Sequence, residues 1–182
     1  MRDKDRELER VLSIHAAALS RLAASYESRP ALREELLQDI AFALWRALPT
    51  FRHEASEKTF VMRIATNRAL SHIAARKTDV LKGTHPVNSE LMGRVPFKAD
   101  AALQAVDPHP RPEEEAANMQ GAARLQAAVR GLPLALRQVM VLALEGLDHD
   151  ESARVLGISA GNVAVRLHRA KTRLKAALGE RT

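Results

Sequence analysis

The stretch from 147 to 178, LDHDESARVLGISAGNVAVRLHRAKTRLKAAL, carries helix start and stop signals at very short spacing. Asp148 and Glu151 are three residues apart, the spacing of a capping box, in which each side chain binds the backbone N–H of the other residue. A short helix is therefore predicted over 151–156. Gly157 can adopt the left-handed conformation that ends such a helix. These signals predict a short capped helix followed by a tight turn.

A longer second helix is expected next, with Ser159 as its N-cap. Apolar residues recur along it at helical spacing and should pack inward, while polar and cationic residues repeat on the adjacent face without an acidic interruption. The inward set is Val163, Leu167, Ala170 and Leu174, and the cationic set is Asn162, Arg166, Arg169 and Arg173. Two helices joined by a tight turn predict a helix-turn-helix, whose second helix fits a DNA major groove. A merely solvated basic face is the alternative, and the uniform sign of the charge favours DNA.

The composition supports a helical, DNA-binding chain. Aromatic residues make up only 3% of the 182 residues, whereas apolar residues make up 46%, with Ala and Leu dominant, which predicts an all-α fold. The net charge of +6 favours a polyanionic partner, although a polar surface can carry such a charge without one. Cysteine is absent, the start MRDKDRELER lacks the apolar run of a signal peptide, and no segment is apolar enough for membrane insertion. A cytoplasmic protein is expected.

Three helices are predicted in the first half, at Asp5–Tyr26, at Ala31–Leu48, and from a cap at or near Ser56 to about Lys77. The second helix has acidic residues on one face of its N-terminal half. Their favourable interaction with the positive end of the helix dipole could alone explain them. The third is expected to bury Phe60, Val61, Ile64 and Ala65. It also has two polar rows, which suit either a nucleic-acid backbone or a solvent-exposed surface, and periodicity does not decide between them. The acidic residues are Glu34, Glu35 and Asp39, and the two rows are Arg63, Asn67 and Ser71, and Arg68, His72 and Arg76.

Residues 83–118 differ from the rest because glycine and proline are frequent and no long helical period occurs. They are predicted to form a flexible linker, which ends in a helix from about Glu114 to Arg130. A further helix is expected at Leu134–Leu144. The predicted organisation is two small helical domains, 1–82 and 119–182, joined by this linker.

The C-terminal stretch resembles region 4 of the sigma-70 superfamily, and its order and spacing are most similar to the extracytoplasmic-function (ECF, group IV) sigma factors. Departures occur at Asn162, where Thr is common, and at Ala164–Val165, which replace a more polar pair. The resemblance implies that the second helix of the motif contacts the −35 element through Ser159, Asn162, Arg166, Arg169 and Arg173. It is carried by Leu132–Pro133, Arg137–Gln138–Val139, Glu145–Gly146–Leu147, Leu156–Gly157–Ile158–Ser159 and Arg166–Leu167–His168–Arg169–Ala170.

The first half resembles sigma region 2. The matching residues are Glu34–Glu35–Leu36, Gln38–Asp39, Trp45, Phe51–Arg52, Phe60, Arg63–Ile64–Ala65 and Asn67. In that family the acidic helix docks on the clamp helices of the RNA polymerase β′ subunit, and the following loop accepts a flipped base of the −10 element. The resemblance therefore implies polymerase docking by Glu35, Gln38 and Asp39, and −10 contacts by Phe51, Arg52, His53, Arg63 and Asn67.

Together the two resemblances imply a sigma factor that binds core RNA polymerase and promoter DNA, is monomeric when free, and has an anti-sigma factor as a further partner. No enzyme is expected, and no cofactor or metal, because the seven histidines are scattered and no glycine-rich phosphate loop occurs. Two other hypotheses fit parts of the sequence. One is a stand-alone dimeric helix-turn-helix regulator, and the other an adaptor whose basic helix binds an acidic protein.

Overall fold

The computed structural model describes residues 2–82 and 112–179. The described residues are helical apart from short turns and one loop, and none lies in a β-strand, so the all-α prediction is confirmed. The chain divides into two compact units, Met1–Ala99 and Asp100–Thr182, and each is described by itself. The linker predicted at 83–118 lies largely outside the described residues.

The first unit contains α1 (Arg2–Tyr26), α2 (Pro30–Ala47), a single 3₁₀ turn (Leu48–Thr50) and α3 (Glu57–Lys82). Each of the three α-helices packs against the other two, so the apolar stripe of each is covered on both sides. The fully buried side chains include Val11, Leu19 and Leu22 from α1, Leu36, Ile40 and Leu44 from α2, and Val61, Met62 and Ala65 from α3.

The three α-helices of the first unit begin and end close to the predicted residues, with local differences. The predicted cap of α3 is present, since the Ser56 Oγ accepts a hydrogen bond from the Thr59 N–H at 3.1 Å. Helix α3 continues five residues past the predicted end at Lys77. Phe60 and Ile64 were expected on its buried side but are only half-buried, because Phe60 packs against a loop aromatic instead of entering the core.

A buried carboxylate joins the end of α1 to the end of α3. Glu27 accepts a hydrogen bond from the Arg29 N–H at 2.9 Å, binds the Arg76 guanidinium, and lies 3.4 Å from the His72 Nε2. Burial alone would raise the pKa of this carboxyl, but the donors from Arg29 and His72 outweigh burial and hold its pKa below the ordinary value. His72 and Arg76 were predicted in a row that could face phosphates. They instead bind this carboxylate.

A second cluster joins α1 to the start of α3. The carboxylate of Glu57, the first residue of α3, binds Arg10 and lies 3.1 Å from the Nε2 of the buried His15. Hydrogen bonds from Arg10 lower the pKa of Glu57, and His15 lowers it further, against an opposing effect of burial. The negative charge therefore sits at the positive end of the α3 dipole.

The second unit contains α4 (Pro112–Gly131), α5 (Leu134–Leu144), α6 (His149–Leu156) and α7 (Ala160–Leu178). Helix α7 packs on all three of the others. Helix α4 begins at Pro112, inside the segment predicted as linker, and proline suits the first turn of a helix because no partner is needed there for a backbone N–H. Arg137 on α5 fixes the turn between α4 and α5 by donating to the carbonyl oxygens of Arg130 and Leu132.

None of the helices in the described ranges is both long and apolar enough to cross a bilayer. Within those same ranges, no group of three or more His, Cys, Asp or Glu side chains is arranged to hold a metal ion.

Candidate nucleic-acid interface

The turn between α6 and α7 has the geometry of a helix-turn-helix. The Glu151 N–H donates to the Asp148 Oδ1 at 2.7 Å, and the Asp148 N–H donates to the Glu151 Oε2 at 3.1 Å, so the predicted capping box is present. Gly157 ends α6 with φ of +66°. The Ser159 Oγ then accepts from the Asn162 N–H at 3.2 Å, the predicted cap of α7. Local sequence thus determines where both helices start and where the first ends.

One face of α7 packs against the rest of the unit. Val163, Leu167, Ala170 and Leu174 are all buried, as their spacing predicted. They recur once per turn, so their combined contact with α4, α5 and α6 sets the rotation of the helix about its axis. The rest of the helix surface, including the adjacent face, is therefore presented to solvent in a fixed orientation.

The face adjacent to the buried stripe is strongly cationic. Helix α7 contains five Lys or Arg residues and no Asp or Glu. Asn162, Arg169 and Arg173 are exposed and Arg166 is half-exposed, so the structure brings the predicted −35 set together on one surface. Among the described residues, none pairs with the guanidinium groups of these three arginines. An unneutralised row of this kind attracts phosphate and leaves its donors available to base edges.

Helix α2 presents an acidic surface on the side opposite the core. Glu35 and Asp39 are exposed and Gln38 is half-exposed, while the buried residues of α2 lie on the other side. Phe42 follows one turn later, half-buried, with its ring stacked on Trp45 at a centroid distance of 6.1 Å. Phe42 was not among the predicted docking residues, although its spacing of four residues from Gln38 places it on the same face.

The loop between the 3₁₀ turn and α3 is built around three aromatic rings. Phe51 lies between His53, at a centroid distance of 4.3 Å, and Phe60, at 4.6 Å. Phe51 is half-buried, whereas Arg52 and His53 are exposed. His53 has φ of +57°, which is uncommon for a residue with a side chain. The loop therefore presents one exposed ring and one exposed guanidinium beside a packed pair of phenyl rings.

This aromatic cluster leads into a polar row on α3. Arg63, Asn67 and Ser71 are exposed and four residues apart, so they share one side of the helix. Phe60 lies one turn before Arg63, and the row from Phe60 to Asn67 extends about 10 Å along the axis. The structure thus brings the five predicted −10 residues together through Phe60, which was predicted to lie on the buried side of α3.

Comparison with known families matches both units. Residues 122–174 match the family model for sigma-70 region 4, and residues 12–78 match the model for sigma-70 region 2. The two matches cover most of the helices that form the surfaces described above and leave out residues 79–121. The prediction from the sequence motifs is confirmed for both halves.

Proteins with similar sequences or structures are also sigma factors. The ECF RNA polymerase sigma factor ShbA of Streptomyces griseus is 31% identical over 79% of this chain and 70% of its own length. The RNA polymerase sigma factor CnrH of Cupriavidus metallidurans is 28% identical over 95% of this chain and 87% of its own length. The solved structure of the sigma factor RpoE of Bartonella quintana, with the anti-sigma factor NepR, has a TM-score of 0.67 at 20% identity and full coverage of both chains. The chain belongs to the sigma-70 family of RNA polymerase sigma factors, in its ECF group.

Proposed function

We propose that this sigma factor directs core RNA polymerase to promoters through two separate DNA contacts, the −35 element by α7 and the −10 element by the loop 51–56 with α3. The observation that carries the proposal is the cationic face of α7. Its arginines have no acidic partner among the described side chains, and the buried stripe fixes their direction. Asn162 and Arg166 lie in the first two turns, the part of a recognition helix that meets base edges.

At the −10 element the proposed mechanism is capture of an unstacked base. Removing a base from the duplex costs a few kcal/mol, and stacking on an aromatic or Arg side chain returns on the order of 1–3 kcal/mol per base. His53 and Arg52 are exposed for such stacking, supported from behind by Phe51 and Phe60. Arg63 and Asn67 continue the contact along the strand.

For polymerase binding we assign the exposed acidic face of α2, with Glu35, Gln38 and Asp39 as the residues that dock on the clamp helices of the β′ subunit. Phe42 would supply apolar area at the edge of that face. Carboxylates at the rim of an interface increase the rate at which two proteins associate and fix their relative orientation. An aromatic ring that loses its water on binding contributes affinity. Each side chain thus has a distinct role in the proposed complex.

The proposed organisation is a domain at 1–82 for polymerase and −10 binding, a linker at 83–118, and a domain at 119–182 for −35 binding. Joining two weak binders raises the effective concentration of the second once the first is bound. Neither surface then needs high affinity alone. In this proposal the chain is monomeric when free and acts in the cytoplasm as an initiation factor, without enzymatic chemistry.

We include an anti-sigma factor among the partners, because the similar structure of RpoE from Bartonella quintana contains the anti-sigma factor NepR. The acidic face of α2 is the surface on which a competing protein would prevent polymerase docking. The comparisons do not favour the stand-alone dimeric regulator. In that hypothesis neither the α2 face nor the loop cluster has a role.

The proposal is tested by transcription from a set of promoter fragments with core polymerase, with and without the chain. We expect transcripts with defined start sites only when the chain is present. The matched control is the same reaction with a quadruple variant in which Asn162, Arg166, Arg169 and Arg173 are replaced by alanine, which leaves the buried stripe of α7 intact. Start-site selection that is unchanged in this variant would contradict −35 recognition by α7.

A further inference from the structure

Val165 is an apolar residue at the edge of the cationic face of α7. It is 51% exposed, and it is one of the large apolar residues that remain exposed in the part of the chain that the structure describes. Single exposed apolar residues are common on protein surfaces, so exposure alone indicates nothing. Val165 is of interest because it lies within the surface of α7 that is proposed to bind the −35 element.

Along the axis of α7, Val165 lies between Asn162 and Arg169. It lies three residues after Asn162 and four before Arg169, which puts it within about 60° of both around the axis. Along the axis it is about 4.5 Å from Asn162, little more than one base-pair step. Because the buried stripe fixes the rotation of α7, a groove that receives Asn162 and Arg169 also receives Val165.

In the major groove, a branched apolar side chain has a single apolar partner among the base edges. Thymine presents a C5-methyl group there, whereas the other edges present hydrogen-bond donors and acceptors. An isopropyl group placed against such a donor or acceptor removes its water and returns no hydrogen bond, which is unfavourable. Against a thymine methyl, the same group buries apolar surface on both sides.

We propose that Val165 selects a thymine at one position of the −35 element by packing against its C5-methyl group. The inference rests on the proposed function, in that α7 must enter the major groove. It adds a specificity that the arginines cannot supply, since guanidinium groups recognise guanine or phosphate. Burial of one methyl group corresponds to about a three- to fivefold change in affinity.

The test begins with selection of the preferred −35 sequence. Promoter duplexes with a randomised −35 window are bound by the full chain with core polymerase and sequenced. Each thymine of the selected sequence, on either strand, is then replaced singly by uracil, which keeps the base pair and removes only the methyl group. We expect one position at which uracil weakens binding by about three- to fivefold for the wild type.

Three variants decide whether Val165 causes that loss. Val165→Ser should bind the thymine and uracil duplexes equally, and Val165→Thr, which keeps one methyl group, should retain part of the difference. Ile14→Ser, at an exposed apolar position on α1, should behave as the wild type. A uracil scan without any loss, or the same loss in Val165→Ser, would overturn the inference. If no window sequence is enriched at all, the proposed −35 recognition itself fails and the inference with it.

Discussion

Glu27 shows how one side chain can determine which cationic groups of a surface remain available to a partner. Its carboxylate holds Arg76 and His72, so two of the three residues in one polar row of α3 are engaged within the protein. The other row, which includes Arg63 and Asn67, stays exposed. Sequence periodicity could not show which of the two rows stays exposed. The partner of His72 and Arg76 on α3 is Glu27, which lies 45 or more positions away in the chain.

Glu27→Gln should destabilise the first unit by about 1–3 kcal/mol, since it weakens buried hydrogen bonds to charged groups. The free energy of unfolding, measured by urea denaturation at pH 7, checks this expectation. Glu9→Gln, an exposed site on α1, is the matched control and should change that energy by less than about 0.5 kcal/mol.

The same variant should alter the acid sensitivity of the unit. The pKa of Glu27 is lower in the folded than in the unfolded chain, because its donors favour the charged form. The stability it contributes is therefore complete above its ordinary pKa of 4.5 and is lost as the pH falls through the lower folded value. Glu27→Gln should thus lose stability less steeply than the wild type below about pH 4.5. The loss that remains in this variant comes from Glu7 and Glu57, whose pKa values are also lowered in the folded chain. An unchanged slope would contradict the assigned ion pairs.

At the scale of elements, the helix-turn-helix depends on one left-handed glycine. Gly157→Ala should destabilise the second unit by about 1–2 kcal/mol, because alanine is strained at a φ of +66° although its Cβ would meet no atom. Gly161→Ala, four residues later in ordinary helical conformation and equally open, should stabilise the unit by about 0.5–1 kcal/mol. Thermal unfolding of both variants measures the contrast. Equal shifts of the same sign would refute the conformational explanation.

Helix α2 carries the prediction for polymerase docking. Glu35→Lys should weaken binding to core polymerase by about tenfold or more, since it places a like charge against a surface complementary to carboxylates. Binding is measured by titration of labelled chain with core enzyme. Glu9→Lys makes the same charge change on an exposed part of α1 and should bind as the wild type. Comparable affinities for the two variants would remove Glu35 from the interface.

The elements differ in how far the sequence could predict them. The caps at Asp148 and Ser159 and the turn at Gly157 depend on residues within a few positions of each other, and they were predicted correctly. Phe60 was misplaced because its partner, Phe51, belongs to a loop, whose path local propensity does not define. The start of α4 was predicted at about Glu114, two residues after its actual start at Pro112, because frequent prolines upstream indicated an irregular segment.

Considered as a whole, the molecule has two units with separate cores, and each carries a face of opposite charge. The acidic face of α2 is in one and the cationic face of α7 is in the other. We therefore expect affinity for promoter DNA to rise by at least about 100-fold when core polymerase is present. Electrophoretic mobility shifts with and without core enzyme test this expectation, with promoter-free DNA as control. Tight, sequence-specific binding by the chain alone would instead support the stand-alone regulator.

In the proposed −10 contact, the left-handed backbone at His53 has a consequence for promoter opening. Such a conformation costs a residue with a side chain on the order of 1 kcal/mol, and packing around Phe51 maintains it. The ring is therefore already in place before any duplex arrives, and its conformational entropy is lost once, during folding. A more flexible loop would have to become ordered at every initiation event, and the free energy for that ordering would be subtracted from the energy available to separate the strands.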